Sequence, residues 1–271
     1  MLGAHHPKVK QLRRLLRDAA TRREMSVAVG EGPRVLSAAL QVASDRLRTV
    51  FATHDAIERW SEPCVAAERS GAELCVLEAP VLDSVSDTRT SQGIVFEIDQ
   101  PRAPLASVLD GPDRSEALFL LVVDEVGDPG NAGTIVRSAE AFGAHAIVLG
   151  PRSVDAYNPK AVRASAGACF AVPIVEASVE KLTTAQVLEA LAARGVRRLG
   201  ARAGASVAVA DAHLREPTAI VLGHETRGLS PDLPIDEEIA IPIAGRAESL
   251  NLAMAAAVCC YEVASTRRRA E

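Results

Sequence analysis

The stretch Val122-Val-Asp-Glu-Val-Gly-Asp-Pro-Gly-Asn-Ala-Gly-Thr-Ile-Val-Arg-Ser-Ala-Glu-Ala-Phe-Gly143 decides the fold. An apolar run enters a glycine-rich turn, and beyond it Ile135, Val136, Ala139 and Phe142 recur at the spacing of one helix face. Asn131 suits the helix N-cap and Gly143 the stop. Arg137 falls off the apolar stripe, one turn from the glycine-rich mouth. Strand, turn and helix in this order build α/β domains whose ligands bind at the C-terminal ends of the strands. The glycines Gly127, Gly130 and Gly133 follow G-x-x-G-x-x-G rather than G-x-G-x-x-G, and no acidic residue ends the next strand at Leu149-Gly150. A dinucleotide site is therefore disfavoured.

Working outward, further apolar runs at 118–123, 146–149, 171–175, 198–201, 219–222 and 238–243 read as strands, with helical patterns at 132–143, 158–168, 182–194 and 249–265. Strands apolar throughout, alternating with helices, predict a parallel sheet covered on both faces. Upstream, residues 8–24 read as one amphipathic helix, Glu31-Gly32-Pro33 opens a second, and strands follow at 48–52, 73–77 and 93–98. The expected organisation is a small α/β domain over 1–105, a linker rich in Pro and charge over 106–116, and a second domain over 117–271.

Composition bounds the function. With 48% hydrophobic and 24% charged residues the chain is a globular protein with a substantial core. It lacks an apolar run of membrane-spanning length and a secretory h-region, which predicts a cytoplasmic location. The five cysteines include no C-x-x-C pair, which argues against a disulfide framework and a zinc site, and Cys259-Cys260 in an apolar helical run reads as packing. The net charge of −5 hides an asymmetry: residues 1–34 carry Lys8, Lys10, Arg13, Arg14, Arg17, Arg22, Arg23 and Arg34 against three acidic residues, and Arg267-Arg268-Arg269 adds a second basic run near the C-terminus. A local basic surface of this kind binds phosphates, although a solvated amphipathic helix accounts for residues 8–24 equally well.

Two more stretches stand at strand ends. Ile220-Val-Leu-Gly-His-Glu-Thr-Arg-Gly-Leu-Ser-Pro231 leaves a buried strand at Gly223 and carries Glu225 and Gly228 in the loop. Ile239-Ala-Ile-Pro-Ile-Ala-Gly-Arg-Ala-Glu-Ser-Leu-Asn251 is read as a strand carrying Pro242, then a loop, with Ser249 and Asn251 at the start of a long helix. Alone, each is a tight turn or a cap.

Together, D-P-G-N-x-G-x-x-x-R, L-G-x-E-x-x-G and I-P-x-x-G-x-x-x-S-L-N occur in order over residues 118–265, and the chain resembles the SpoU-type (TrmH-like) branch of the SPOUT RNA methyltransferases. Glu31-Gly32 and Gln92-Gly93-Ile94 weakly resemble the L30e-like RNA-binding domain often fused there. The resemblance implies a parallel sheet tied in a trefoil knot, with an S-adenosylmethionine site formed by Leu222, Gly223, Gly228, Ile241, Pro242, Ile243, Ser249 and Leu250. It also implies a homodimer through the last helix and transfer of a methyl group to a ribose 2′-hydroxyl without a metal. Arg137 would act at the hydroxyl and its phosphate, either as base or as electrostatic clamp, with Asn131, Glu225, Ser249 and Asn251 positioning substrate. The N-terminal domain favours ribosomal RNA over tRNA as partner. The competing expectations are a knotted RNA-binding or ribosome-assembly protein without activity and a knotted base methyltransferase.

Overall fold

The computed structural model describes residues 1–86, 91–101, 103–111 and 117–269. Two compact units emerge: Met1–Pro101 with Tyr157–Ala171, and 103–156 with 172–269. Residues 112–116 of the expected linker lie outside the described residues. Its start is not a linker in structure, since Leu105–Leu109 is a helix whose Leu105 and Leu109 are buried in the core of the second unit.

Among its described residues the first unit holds a four-stranded sheet in the order β1-β4-β2-β3, with β1 Val27–Glu31, β2 Leu47–Ala52, β3 Glu73–Val76 and β4 Ile94–Asp99. Strand β4 runs antiparallel to β1 and β2, and β2 runs parallel to β3. β1 has no counterpart in the sequence expectation. Its run Val-Ala-Val-Gly-Glu is short, built mostly of small residues and buried throughout, so it has neither alternation nor length to announce it.

The single helix expected over 8–24 is two. Pro7–Arg17 ends at Asp18, whose carboxylate accepts from the backbone N–H groups of Ala20 (3.1 Å) and Thr21 (3.0 Å) and so starts a second helix, Ala19–Met25. Val9, Leu12 and Leu15 are buried in the core of this unit. Of the basic residues, Arg22 is buried and donates to the Leu15 carbonyl at 2.5 Å, Lys8 pairs with Glu73, and Arg13 donates to Ser84 at 2.8 Å. Lys10, Arg14 and Arg17 remain exposed, one helical stripe at spacings of four and three.

The helix expected over 158–168 does not cover the parallel sheet. It is Pro159–Ser165, and it packs against β1 in the first unit, where Arg163 reaches Glu31 at 3.6 Å and Phe170 meets Phe96 with ring centroids 6.2 Å apart.

The second unit is built on a parallel sheet, seven strands among the described residues, in the order β7-β6-β5-β10-β8-β11-β9. The strands are β5 Phe119–Val123, β6 Ala146–Leu149, β7 Ile174–Glu176, β8 Arg197–Ala201, β9 Val207–Ala208, β10 Thr218–Leu222 and β11 Glu237–Ala240. β5 and β10 are buried at every residue, as the apolar runs Phe119–Val123 and 219–222 require of central strands. Leu120, Val122, Val148 and Val221 meet Leu188 and Leu191 of helix Thr184–Ala192 in the core. Strand β9 is a two-residue edge absent from the sequence expectation, and β11 stops at Ala240, so Pro242 stands beyond the strand rather than in it. The expected helix over 249–265 is Leu252–Arg268.

Arg267, expected to add to a basic surface, is instead a structural clamp. Its guanidinium donates to the carbonyls of Leu214 (3.0 Å), Glu216 (3.0 Å) and Leu118 (3.3 Å) and lies 5.7 Å from the Phe119 ring centre. All five cysteines are buried, and burial pushes the Cys169 and Cys259 thiols up to about 12, which leaves them unreactive and apolar in behaviour.

Candidate active site

The three motif loops leave the C-terminal edge of the parallel sheet together because of strand order. β5 and β10 are adjacent and parallel, with Val123 opposite Leu222, so the chain departs both strands side by side and the Asp124 N–H donates to the Leu222 carbonyl at 2.8 Å. From β5 the chain proceeds to β6 and β7 on one side, then returns to β8, β10 and β11 on the other. Ligand crevices form at such a change of direction.

After β10 the loop folds back on itself. His224 and Gly228 exchange backbone hydrogen bonds of 3.0 and 2.9 Å, and Gly228 has φ of +67°. A Cβ on Gly223 would lie 2.2 Å from the Gly228 carbonyl carbon and oxygen, both backbone atoms, so only glycine permits this return. Nδ1 of His224 accepts from the Thr226 N–H at 3.1 Å, which assigns the ring proton to Nε2.

A cavity of about 670 Å³ opens beside this loop. All eight expected cofactor positions (Leu222, Gly223, Gly228, Ile241, Pro242, Ile243, Ser249 and Leu250) line it, with Glu225 at its edge. Sequence reasoning missed one wall, the loop Arg202–Ser206 between β8 and β9; its glycine at 204 was the available signal. Arg202 is tied down there by Glu238 at 2.7 Å.

The opposite wall, 241–251, has no regular secondary structure. Among the described residues the backbone N–H groups of 243–250 make no backbone hydrogen bonds, and Ile243 and Leu250 expose their apolar side chains. Free amides, apolar side chains and a volume within the range for small-molecule sites fit an elongated ligand with an apolar ring and polar ends.

The five expected catalytic residues separate into a connected group and two single residues. Asn131 is not the cap of its helix. Asp128 takes that place before Pro129, accepting from the Asn131 N–H at 2.9 Å, so the helix is Pro129–Ala141 and Gly143 follows it at φ +75°. Freed from capping, the Asn131 amide donates through Nδ2 to Glu225 Oε1 and accepts from Asn251 Nδ2 at 3.4 Å. Asn251 in turn caps helix Leu252–Arg268, its Oδ1 accepting from Ala253 (2.9 Å) and Met254 (3.3 Å). The polarity of this chain is set from one end. The helix amides claim Asn251 Oδ1, its Nδ2 must donate, and Asn131 is oriented so that its own Nδ2 faces Glu225.

Ser249 lines the cavity and is exposed. Arg137 is exposed on the Pro129–Ala141 helix and, among the described residues, has no hydrogen bond or ion pair. Among the described residues, no cluster of three metal-ligating side chains forms and no helix is long and apolar enough to cross a membrane.

Comparison with known proteins matches both units. Residues 118–261 match the SpoU rRNA Methylase family, and residues 6–95 match the MRM3-like substrate binding domain. An uncharacterized tRNA/rRNA methyltransferase of Mycobacterium tuberculosis (strain ATCC 25618 / H37Rv) is 34% identical over 99% of this chain and 83% of its own. The AdoMet-bound rRNA methyltransferase from Sinorhizobium meliloti superposes with a TM-score of 0.81 at 27% identity, covering 98% of this chain and 97% of that one. A structure described as an RNA 2′-O ribose methyltransferase superposes with a TM-score of 0.74 at 27% identity, covering 98% of each chain.

Proposed function

The chain belongs to the SpoU rRNA methylase family, and from that premise we propose that it methylates a ribose 2′-hydroxyl of structured RNA, with ribosomal RNA preferred over tRNA. The observation that carries the reading is the hydrogen-bonded chain Asn251–Asn131–Glu225, which joins the three motifs and ends on Glu225 in the cavity lining. A protein that only bound RNA would have no use for a polar chain of fixed direction beside a ligand cavity.

The cavity fits S-adenosylmethionine: Ile243 and Leu250 offer apolar surface, and the unpaired amides of 243–250 offer donors to its polar groups. When bound, S-adenosylmethionine supplies a methyl group already activated as a sulfonium, so no metal is required. The protein's tasks are then to orient the ribose, exclude water and stabilise the oxygen that loses its proton. Arg137, a cation with no partner among the described residues, is available to the target phosphate and the developing alkoxide. Glu225 is held by Asn131 with a fixed acceptor direction, and Ser249 presents a hydroxyl to the cavity.

The first unit serves as the RNA-docking domain, with the exposed stripe Lys10, Arg14 and Arg17 facing phosphates. Tyr261 (46% exposed) and Met254 (50%) leave an apolar face on helix Leu252–Arg268 that suits a homodimer. We also infer a trefoil knot around the cavity and a cytoplasmic location.

The test is to incubate the protein with S-adenosylmethionine and total ribosomal RNA or tRNA, then digest to nucleosides for mass spectrometry. A 2′-O-methylnucleoside appearing in ribosomal RNA is the expected product. A base-methylated nucleoside would overturn the ribose assignment. Binding of S-adenosylmethionine without any methylated product, on RNA from cells lacking the gene, would favour the non-catalytic reading.

A further inference from the structure

Glu125, immediately beyond β5, gathers three groups that none of the motifs contains as a fixed position. Its side chain is 16% exposed, and its Oε2 receives both Arg152 Nε at 2.9 Å and Arg227 Nη2. His224 Nε2 lies 3.9 Å from its Oε1. The two arginines come from different loops, after β6 and after β10, yet converge on one oxygen. They are 65% and 59% exposed. The carboxylate therefore sits behind and the guanidinium groups face outward. One carboxylate against two guanidinium groups leaves a net positive charge, and most of each arginine's five donors stay unused.

The placement gives this pair a direction. Arg227 follows Glu225 by two residues in the fold-back loop and lines the cavity, and Glu125 precedes the helix that carries Arg137. The bonds that His224 Nδ1 accepts from the Thr226 and Arg227 N–H groups, at 3.1 and 3.4 Å, hold the loop tip that presents Arg227. One guanidinium would suffice to neutralise the largely buried carboxylate, and both arginines keep most of their surface in solvent, so fold maintenance alone does not call for the second.

We propose that Arg152 and Arg227, organised by Glu125, form a binding site for a backbone phosphate of the RNA substrate next to the target ribose. Planar guanidinium groups from two loops suit the bidentate recognition of a phosphodiester, and they would fix the register of the strand whose hydroxyl enters the site. This inference rests on the RNA-methyltransferase reading above.

The test uses the full chain and a fluorescein-labelled single-stranded RNA oligonucleotide, with affinity measured by anisotropy from about 50 to about 200 mM KCl. Three proteins are compared: wild type, Arg152→Gln/Arg227→Gln, and Glu125→Gln. S-adenosylmethionine affinity is titrated separately, and KM and kcat for methylation of ribosomal RNA are measured. The double variant is expected to bind RNA roughly tenfold more weakly, with a salt slope shallower by about 1.4, the loss of two contacts to a single strand. KM for RNA should rise by a much larger factor than S-adenosylmethionine affinity falls, since Arg227 lines the cavity and Arg152 does not. Glu125→Gln should raise KM in the same direction, since the arginines lose their common anchor.

RNA affinity and salt slope equal to wild type would overturn the proposal. So would a loss of S-adenosylmethionine affinity at unchanged RNA affinity, which would assign the arginines to the cofactor. A wild-type protein that neither binds nor methylates RNA would overturn the underlying reading instead.

Discussion

Asn131 and Glu225, 94 residues apart, are joined by a hydrogen bond from the Asn131 amide to the Glu225 carboxylate, and that bond couples the first turn of helix Pro129–Ala141 to the loop after β10. The direction of donation is imposed from a third segment, because Asn251 Nδ2 occupies Asn131 Oδ1.

Asn131→Asp therefore tests the chain more sharply than truncation does. An aspartate at 131 can still accept from Asn251 but faces Glu225 with a second carboxylate and no donor. Methyl transfer should fall by roughly 100-fold or more, the scale of removing one positioned donor at a reacting centre. Thermal unfolding should move little, since Asn131 does not cap its helix. Single-turnover assays with ribosomal RNA check the first point and calorimetry the second. A variant with wild-type turnover would disconnect the chain from catalysis.

Arg137→Ala should abolish methyl transfer while S-adenosylmethionine binding stays at the wild-type level. The residue is exposed, does not line the cavity, and has no ion pair to lose among the described residues. Arg137→Lys keeps the charge without the planar fork, so partial activity there would point to electrostatics and complete loss to bidentate geometry. Equilibrium dialysis with labelled cofactor separates binding from turnover in both variants.

Gly223→Ala places a methyl group 2.2 Å from the Gly228 backbone, with no flexible side chain to yield. The fold-back loop must open, at a cost of about 1–3 kcal/mol. Because this loop forms one wall of the cavity, S-adenosylmethionine affinity should fall at least tenfold. Gly127→Ala is the control, since a Cβ there meets nothing within 4 Å. Cofactor titrations of the two alanine variants decide it, and equal affinity would remove Gly223 from the site.

The parallel sheet was legible because all of β5 and residues 219–222 of β10 are unbroken apolar runs, a pattern that only a strand covered on both faces tolerates. The cavity wall at 241–250 was legible through the spacing of its motif rather than through any secondary-structure preference. The capping of helix Pro129–Ala141 was misread although Asp128-Pro129 carried the signal, since proline fits the first helical position and hands the cap to the residue before it. Segment 157–171 was unreadable for another reason. Val162 faces a buried environment whichever unit provides it, and local periodicity does not say which. The convergence of Arg152 and Arg227 on Glu125 was equally hidden, because ion pairs between distant loops leave no trace in spacing.

Glu97 gives the first unit a measurable pH dependence. It lies on β4, 4% exposed, with Gln11 Nε2 donating to its two carboxylate oxygens at 3.4 and 3.3 Å. Burial pushes its carboxyl above the ordinary 4.5, and the Gln11 bond together with Arg48 and Lys8 offsets only part of that. Between 4.5 and the raised folded value the native state binds more protons than the unfolded chain, so stability falls as pH rises through that window and levels off above it. Glu97→Gln removes the ionisation and keeps an acceptor for Gln11. The stability of wild type minus that of the variant should therefore be greatest near pH 4, decline as pH rises, and become constant once Glu97 is ionised in both states. Urea unfolding of both proteins across this range, followed by a probe in the first unit such as Trp60, measures the difference directly. A difference independent of pH would mean that Glu97 titrates alike in the folded and unfolded chain, and a difference that grew with pH would reverse the sign assigned to its burial.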